Sequence, residues 1–250
     1  MCGRYTIVSA PAVLRELFGF EELPNFPARF NIAPTQPIPI VRLFEGKRQF
    51  ALVRWGFLPS WAKDPSTFSL LINARGESAR EKPAFRAAMK YRRCLIPADG
   101  FYEWQARGSG LKQPFYIHAT SGAPLAFAGL WETWTGPNGE EVDTAAIVTT
   151  AANGTLAPIH ARMPVIVPPE AFDLWLDTAH VDERTAAAVI APAPDDLLEA
   201  YPVSTAVNRT ANDDPKLIEL FTPSEAPPPA PKRAPRIKRE PDNDAQGVLF

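Results

Sequence analysis

Short apolar runs, each about as long as a β-strand, follow one another along most of the chain and are separated by turn-forming residues. The segment Glu45-Gly46-Lys47 separates two such runs, and Asn138-Gly139, a pair typical of tight β-hairpins, separates two more. Strands that are joined by hairpins pair antiparallel. The sequence therefore predicts an α+β fold with a largely antiparallel, barrel-like β core and peripheral helices.

The predicted strands cover residues 38–44, 49–55, 93–97, 101–105, 114–118, 125–131, 144–150 and 163–167. Helical spacing of apolar residues and proline positions predict helices over 12–18, 83–90, 169–176 and 182–190. Ser9 is predicted to cap the first of these helices and Gly19 to end it. Residues 31–35 are predicted to form a loop, and Asp99-Gly100 to turn strand 93–97 into strand 101–105.

Proline is unevenly distributed, with seven of the 28 prolines in the last 28 residues. That segment has few apolar residues before its end and cannot bury enough surface to order itself. We therefore predict one folded domain over residues 1–222 and a disordered, proline-rich tail over residues 223–250.

The composition excludes several classes of protein. A net charge of −2 offers no global basic field, so a polyanion site would have to be a local patch. Two cysteines suit a reducing compartment, and the absence of a signal-peptide pattern or a long apolar run predicts a cytoplasmic protein with no membrane partner. The scattered cysteines and three histidines predict no metal site, and without a glycine-rich phosphate loop we expect no cofactor.

The second residue, Cys2, has special chemistry if Met1 is removed. Its α-amine and thiol then lie on adjacent carbons, so that the amine can form an imine with an aldehyde and the thiol can close a thiazolidine ring. The same group can also attack an amide as an N-terminal nucleophile. The alternative is that position 2 only needs a small residue and the cysteine is incidental.

Three further residues are candidates for chemistry, each with a structural alternative. Glu103 is flanked by aromatic residues on an apolar strand, so it is either a desolvated carboxylate with a raised pKa or an outward-facing strand residue. Asn73 lies where a strand ends and could equally satisfy a local turn. His160 lies at an element boundary beside Arg162, unlike His118 and His180, which have the positions of ordinary strand and helix-end residues.

Together these motifs resemble the SRAP family, the SOS response-associated peptidase-like proteins that shield abasic sites in single-stranded DNA. The resemblance runs from Cys2 to about Leu220. The motifs that carry it are Met1-Cys2-Gly3-Arg4-Tyr5, Trp55-Gly56 with Pro59 and Trp61, Asn73-Ala74-Arg75 with Glu77, the run from Arg92 to Trp104, and His160 with Arg162-Met163-Pro164.

The resemblance implies an enzyme that forms a covalent DNA–protein crosslink during the processing of DNA damage. Met1 would be removed by an aminopeptidase or by the protein itself. Cys2 would then form a Schiff base with the ring-opened abasic sugar and close a thiazolidine. Because an α-amine has a pKa of about 7.7–8.0 and a thiol of about 8.5, both are mostly protonated at neutral pH and need a base. The resemblance assigns proton transfer to Glu103, positioning of Cys2 and the sugar to Asn73, and sugar-ring opening and crosslink reversal to His160.

The resemblance also implies that single-stranded DNA with an abasic site is the partner of a protein that we expect to be a monomer. Basic residues beside the catalytic positions would bind the flanking phosphates, and Trp61 would stack on a base or else pack as a loop aromatic. Ala161 departs from the family, in which an acidic residue often follows the histidine, and this puts the orientation of His160 in question. The implied DNA-binding residues are Arg4, Trp61, Arg75, Arg80, Lys82, Thr149 and Arg162.

Two other functions fit the same residues. One is an N-terminal-nucleophile amidohydrolase or protease in which Cys2 attacks amides, and the other is a non-covalent single-stranded DNA-binding module in which Cys2 is incidental. The crosslinking reaction needs both the amine and the thiol of Cys2, whereas simple binding does not.

The end of the tail, Gln246-Gly247-Val248-Leu249-Phe250, resembles the Gln-x-x-Leu-Phe peptides that bind bacterial sliding clamps. A proline-rich, partly basic tether would present such a peptide well, with Gln246, Leu249 and Phe250 as its anchors. The alternative is a chance apolar end, because short motifs match often without function.

Deleting Gln246–Phe250 tests the clamp prediction directly. If the motif binds, the truncated protein loses its affinity for a purified sliding clamp in a pull-down or anisotropy measurement, while Val248→Ala, at a variable position of the motif, keeps it. Equal clamp binding by the full-length and truncated proteins would contradict the prediction.

Overall fold

The computed structural model describes residues 2–65, 68–108, 110 and 112–222. The strands of this part of the chain are β1 (Tyr5–Ile7), β2 (Arg29–Ile32), β3 (Pro37–Phe44), β4 (Lys47–Trp55), β5 (Asn73–Arg75), β6 (Arg93–Ala98), β7 (Gly100–Ala106), β8 (Lys112–Ala119), β9 (Leu125–Thr135), β10 (Glu141–Ala151), β11 (Arg162–Pro164) and β12 (Leu198–Pro202). Its α-helices are α1 (Pro11–Phe18), α2 (Gly76–Ala79), α3 (Arg86–Tyr91), α4 (Phe172–Leu176) and α5 (Glu183–Ala186). Short 3-10 helices lie at Pro169–Ala171, Ala187–Val189, Thr205–Asn208 and Pro215–Ile218.

Five strands close into a barrel in the order β10-β4-β3-β6-β9, with β9 returning to β10. The pairs β3–β4, β3–β6, β6–β9 and β9–β10 are antiparallel. The barrel closes where β10 runs parallel to β4, with Ala145 opposite Trp55. Beyond the barrel, the second half of β10 pairs in parallel with β5 and antiparallel with β11.

The remaining five strands form a second sheet in the order β12-β8-β7-β1-β2. β1 is a central strand of this sheet, because it pairs antiparallel with β2 on one side and with β7 on the other. Cys2 and Arg4 lead directly into β1, and the backbone N–H of Tyr102 donates to the carbonyl of Arg4 at 3.0 Å. The amino-terminal segment is therefore held in the sheet.

Aromatic side chains pack the second sheet against the barrel. Tyr5 of β1 meets Trp55 of β4 edge to face with ring centroids 5.3 Å apart, and it also contacts Phe127 of β9 at 6.2 Å. Phe101 of β7 adds a second edge-to-face contact with Phe127 at 5.7 Å. All four side chains are fully buried. This cluster ties the strand that carries Cys2 to the barrel.

The predicted α+β fold with a barrel-like, largely antiparallel core is confirmed. Both hairpins are also confirmed, since Phe44 pairs with Lys47 across Glu45-Gly46 and Thr135 pairs with Glu141 across the Asn138-Gly139 turn. Glu45 and Gly46 both have positive φ, 50° and 77°, as a two-residue hairpin turn of the I′ type requires.

Several local predictions were wrong. The hydroxyl of Ser9 does not cap α1 but donates to Asp99 Oδ1, and Ala10 occupies the N-cap position. Asn31 and Ile32 belong to β2 rather than to a loop. The predicted passage from one strand to the next at Asp99 is present, but β6 and β7 lie in different sheets, and the carboxylate of Asp99 accepts hydrogen bonds from the backbone N–H groups of Val8 and Ser9.

The helices are short. The predicted helix 182–190 is a single α-turn, capped by the Asp182 carboxylate, that continues as a 3-10 helix. Within the described ranges no helix is long and apolar enough to cross a membrane. The proline-rich tail lies outside the described residues, so the division at residue 222 stays a prediction.

The aromatic cluster predicts a large loss of stability on truncation of Phe127. We expect Phe127→Ala to lower the free energy of unfolding by about 3–5 kcal/mol, because it removes a buried ring and leaves a cavity between the sheet and the barrel. Urea denaturation of Phe44→Ala provides the control, since Phe44 lies on β3 but is 52% exposed. Similar losses in both variants would contradict a special role for the cluster.

Candidate functional site

Cys2 lies at the entrance to β1 and its side chain is completely buried. The side-chain amide of Asn73 donates a hydrogen bond from Nδ2 to the Cys2 carbonyl oxygen at 2.9 Å. The Cys2 thiol lies 3.8 Å from the carbonyl oxygen of Arg4. The backbone of Cys2 is thus fixed by a side chain from a different sheet.

Asn73 reaches Cys2 because β5 runs parallel to β10, with Asn73 opposite Ile147 and Arg75 opposite Thr149. The Oδ1 atom of Asn73 is buried and accepts no hydrogen bond from the described residues. An unpaired buried acceptor is costly unless a ligand or water satisfies it. The side chain therefore holds Cys2 with one atom and offers the other to a bound molecule.

Glu103 is on β7, beside β1, and is 2% exposed. Burial raises the pKa of the Glu103 carboxyl above its ordinary value, and the opposing charge of His160 offsets part of that shift. Burial also raises the pKa of the Cys2 thiol, and the negative charge of Glu103 adds to this effect. The thiol is therefore held in its protonated form, and the buried carboxyl group of Glu103 binds its proton more tightly than an exposed carboxyl does.

His160 lies on the other side of Glu103, with Nδ1 3.9 Å from Glu103 Oε1. Its ring is held by the backbone of Arg162, whose N–H and C=O lie 3.0 Å and 3.1 Å from Nδ1. The preceding loop is fixed to β7 by a hydrogen bond from Gln105 Nε2 to the Pro158 carbonyl at 3.0 Å. The imidazole keeps 29% of its surface exposed, so it lies between solvent and the buried carboxyl group.

The structure thus brings together all four predicted catalytic residues. Asn73 contacts Cys2, and His160 lies beside Glu103, which acts electrostatically on the Cys2 thiol. Three separate stretches of the chain, all far from the amino terminus in sequence, converge on it. Among the described residues no group of acidic, cysteine and histidine side chains could hold a metal ion.

Two of the predicted DNA-binding arginines have protein partners. Arg162 forms a bidentate ion pair with Glu77 and also donates to the Thr149 carbonyl oxygen at 2.7 Å. This ion pair lowers the pKa of the Glu77 carboxyl. Arg4 donates to Asn31 Oδ1 and to the carbonyl oxygens of Val207 and Asn208, so its guanidinium fastens the 3-10 helix Thr205–Asn208 to β1.

The other predicted DNA-binding residues differ in exposure. Thr149 is fully buried and its hydroxyl lies 3.1 Å from Arg162 Nη2, so the structure places it under Arg162 rather than at the surface. Arg75, Arg80 and Lys82 are exposed. Trp61 is 58% exposed and meets Phe68 edge to face at 5.6 Å. The predicted clamp-binding residues Gln246, Leu249 and Phe250 lie outside the described residues.

Sequence reasoning missed Asn31, the buried residue that joins the end of the domain to the site. Its side-chain amide donates to the carbonyl oxygens of Val207, Arg209 and Asn212, while its Oδ1 accepts from Arg4. The nearby Ala33-Pro34 indicated a loop, and nothing in the local sequence marks an asparagine whose partners are about 180 residues away. Such a contact is visible only in the fold.

The fold and the site define an α+β barrel protein built around a cysteine at its second position. The chain belongs to the SOS response associated peptidase (SRAP) family, whose sequence model matches residues 1–210. It is 39% identical over 222 residues to the abasic site processing protein YoqW of Bacillus subtilis, a match that covers 88% of this chain and 99% of the relative. It is also 37% identical over 200 residues to the abasic site processing protein HMCES of Gallus gallus, covering 69% of this chain and 59% of the relative.

Solved structures give the same family of folds. A phage-related protein from Bordetella bronchiseptica is 34% identical with a TM-score of 0.65, over 81% of this chain and 94% of the other. A protein from Bacteroides thetaiotaomicron has a TM-score of 0.79 at 23% identity, over 88% of this chain and 100% of the other, and supports the fold alone.

The raised pKa of Glu103 predicts that burial of this carboxyl lowers the stability of the folded protein by an amount that depends on pH. A carboxyl whose folded pKa exceeds its unfolded value of about 4.3 binds its proton more tightly in the folded state, so the folded protein loses stability as pH rises from there through the folded pKa. We expect Glu103→Gln to reduce this loss, as measured by urea denaturation between acid and neutral pH. The matched control is Glu132→Gln, at a buried glutamate paired with Arg92. A wild-type pH dependence in Glu103→Gln would contradict the prediction.

Proposed function

We propose that this protein processes abasic sites in single-stranded DNA by forming a covalent thiazolidine crosslink through Cys2 after Met1 has been removed. The observation that carries the proposal is the convergence of Asn73, Glu103 and His160 on a cysteine at position 2. The names of the relatives supply the substrate class, because abasic site processing is what YoqW and HMCES are named for. An abasic deoxyribose in its ring-opened form carries the aldehyde that a 1,2-aminothiol attacks.

In the proposed reaction, the nitrogen and the sulfur of Cys2 each form a bond to the aldehyde carbon of the abasic sugar. The Cys2 amine adds to the aldehyde carbon, the carbinolamine loses water, and an imine forms. The Cys2 sulfur then adds to the imine carbon while the nitrogen takes up a proton, which closes the five-membered ring with one water released in total. Both the amine and the thiol must give up protons for these steps, and the carbinolamine hydroxyl must receive one.

Glu103 is the group that we assign to these proton transfers. A carboxyl with a raised pKa can accept a proton from the ammonium or the thiol and return it to the leaving hydroxyl, a role that typically contributes a factor of about 10²–10⁴ in rate. Burial of Cys2 raises the pKa of its thiol, and the negative charge of Glu103 adds to this effect. The thiol therefore needs this carboxylate as its base.

Asn73 and His160 have positioning and sugar-directed roles in the proposal. The hydrogen bond from Asn73 Nδ2 to the Cys2 carbonyl fixes the backbone that carries both nucleophiles, and such fixation removes an entropic cost from the reaction. The ring of His160, which is 29% exposed, lies between Glu103 and the solvent, and we assign it to opening of the sugar ring. Because the Arg162 backbone holds the ring, its orientation does not depend on an acidic residue at position 161.

The site's geometry weighs against both alternative functions. An N-terminal-nucleophile protease must admit a polypeptide segment to its nucleophile, whereas the Cys2 thiol is fully buried. A non-covalent binding module has no use for a buried carboxyl group and a histidine beside Cys2.

A denaturing gel with single-stranded DNA that carries one abasic site tests the proposal. We expect a heat-stable shifted band with the wild type, for which intact mass confirms the loss of Met1, and none with Cys2→Ala or with a form that retains Met1. Cys94→Ala is the matched control, because Cys94 is the other cysteine of the chain, is equally buried, and lies on β6. It should crosslink as the wild type does.

Two further samples on the same gel distinguish covalent crosslinking from non-covalent binding. DNA with a tetrahydrofuran in place of the abasic sugar has no aldehyde and should give no band. Cys2→Ser keeps the amine, so it should give a band only after borohydride reduction of the imine. A wild type that lacks Met1 and forms no adduct with abasic DNA would refute the proposal.

A further inference from the structure

His160 lies at the end of a loop that leaves β10 and returns to β11. The base of this loop is closed by a hydrogen bond from the Ala152 N–H to the Ala161 carbonyl oxygen at 3.0 Å. We call residues 153–160 the His160 loop. A reacting side chain must be held in place by the residues around it, so the contacts of this loop determine where the imidazole lies.

Asn153 holds the loop from within. Its Oδ1 accepts a hydrogen bond from the Leu156 backbone N–H at 3.1 Å, and its carbonyl oxygen accepts from the Ala157 N–H at 2.9 Å. The side chain of Leu156 is fully buried, and its carbonyl oxygen accepts from the N–H of His160 at 2.9 Å. The side chain of Asn153 is therefore connected to the backbone of His160 through Leu156.

The same side chain also ties the loop to the segment that precedes β12. Asn153 Nδ2 donates to the carbonyl oxygens of Ala193 and Pro194 at 3.1 Å and 3.2 Å. Asn153 is 6% exposed, and hydrogen bonds lost in the interior usually cost more than those lost at the surface. Asp195 adds a second tie, because its Oδ1 accepts from the Gly154 N–H at 2.6 Å. The first half of the loop is therefore fixed to a neighbouring segment.

The second half of the loop is fixed to the strand that carries Glu103. Gln105 lies two residues after Glu103 on β7, hence on the same face, and its Nε2 donates to the Pro158 carbonyl oxygen at 3.0 Å. His160 Nδ1 lies 3.9 Å from Glu103 Oε1. The distance between the imidazole and the carboxyl group therefore depends on how the loop is held.

We infer that Asn153 is a positioning residue for His160, which it holds beside Glu103 for opening of the abasic sugar ring. This inference rests on the proposed function and adds the residue that orients one of its groups. An abasic sugar in DNA is mostly a closed hemiacetal, whereas the Cys2 amine reacts with the open aldehyde. A displaced imidazole therefore slows the supply of aldehyde and leaves the later steps unchanged.

Ring opening needs a group that transfers protons. It breaks the bond between C1′ and the ring oxygen, takes the proton from the hydroxyl on C1′ and delivers a proton to the ring oxygen. An imidazole can accept the first proton and donate the second, provided that it lies within hydrogen-bonding reach of the sugar. This dependence on distance is what makes the hold of Asn153 on the loop matter for the reaction.

The test compares Asn153→Ala with the control Tyr201→Phe, each alone and combined with His160→Ala. The control removes a hydrogen bond of 2.7 Å from the Tyr201 hydroxyl to the Ile218 carbonyl oxygen, at the edge of the second sheet. Crosslinking rates are measured at saturating DNA with two oligonucleotides. One carries an abasic site, and the other carries in its place an acyclic alkyl aldehyde with no hydroxyl to close a ring. Thermal unfolding confirms that every variant is folded at the assay temperature.

With abasic DNA we expect Asn153→Ala to crosslink about tenfold more slowly than the wild type, because a misplacement of about 1 Å can cost up to about 10²-fold in rate. With the acyclic aldehyde it should match the wild type. In the His160→Ala background, Asn153→Ala should cause no further slowing, since effects on one shared group are not additive. Tyr201→Phe should leave the rate unchanged on both oligonucleotides and in both backgrounds.

A wild-type rate of Asn153→Ala with abasic DNA, or equal slowing with both oligonucleotides, would overturn the inference, because Asn153 would then be dispensable or needed only for the fold. Additive slowing by Asn153→Ala and His160→Ala would overturn it as well, since Asn153 would then act apart from His160. Failure of the proposed function gives a different result. In that case the wild type itself forms no adduct with abasic DNA.

Discussion

The hydrogen bonding of β10 to neighbouring strands along both of its edges is the constraint on which the rest of the structure depends. Its first half closes the barrel against β4 and β9, and its second half holds β5 and β11. Asn73 lies on β5, and His160 lies two residues before β11. One strand therefore sets the positions of Asn73, which binds Cys2, and of His160, which lies beside Glu103, while β7, in the other sheet, carries Glu103. The site lies where the two sheets meet, so neither sheet alone contains it.

Burial gives the site its chemical character. Burial in the packed interior around β1 raises the pKa of both the Glu103 carboxyl and the Cys2 thiol above their ordinary values. The buried Oδ1 of Asn73, which accepts no hydrogen bond from the described residues, adds a second unfavourable contribution to stability at the site. Polar groups that lack a partner within the fold often mark a place where another molecule supplies one.

Much of the fold could be predicted from local sequence, because tight turns such as Glu45-Gly46 and Asn138-Gly139 fix the hairpins that they join. The short strands could not be predicted from local sequence. β1, for example, has only three residues and owes its conformation to β2 and β7 on either side. The set of candidate catalytic residues followed from the family resemblance, and the structure brings its members together. The sequence could not reveal which arginines already have partners within the protein. Arg162 and Arg4 were both predicted to bind DNA, yet Arg162 forms an ion pair with Glu77, and Arg4 donates to the carbonyl oxygens of residues 207 and 208.

The central position of β1 has a mechanical consequence. A strand of DNA attached at Cys2 would pull on a β-strand that is hydrogen-bonded on both edges and anchored by Tyr5 beneath it. Force along that strand must shear several hydrogen bonds at once instead of opening them one by one. Arg4 adds a tie to the far end of the domain at Val207 and Asn208. If DNA is attached at Cys2 as proposed, a force applied through the DNA would meet a strand that is held at both edges and tied to the end of the domain.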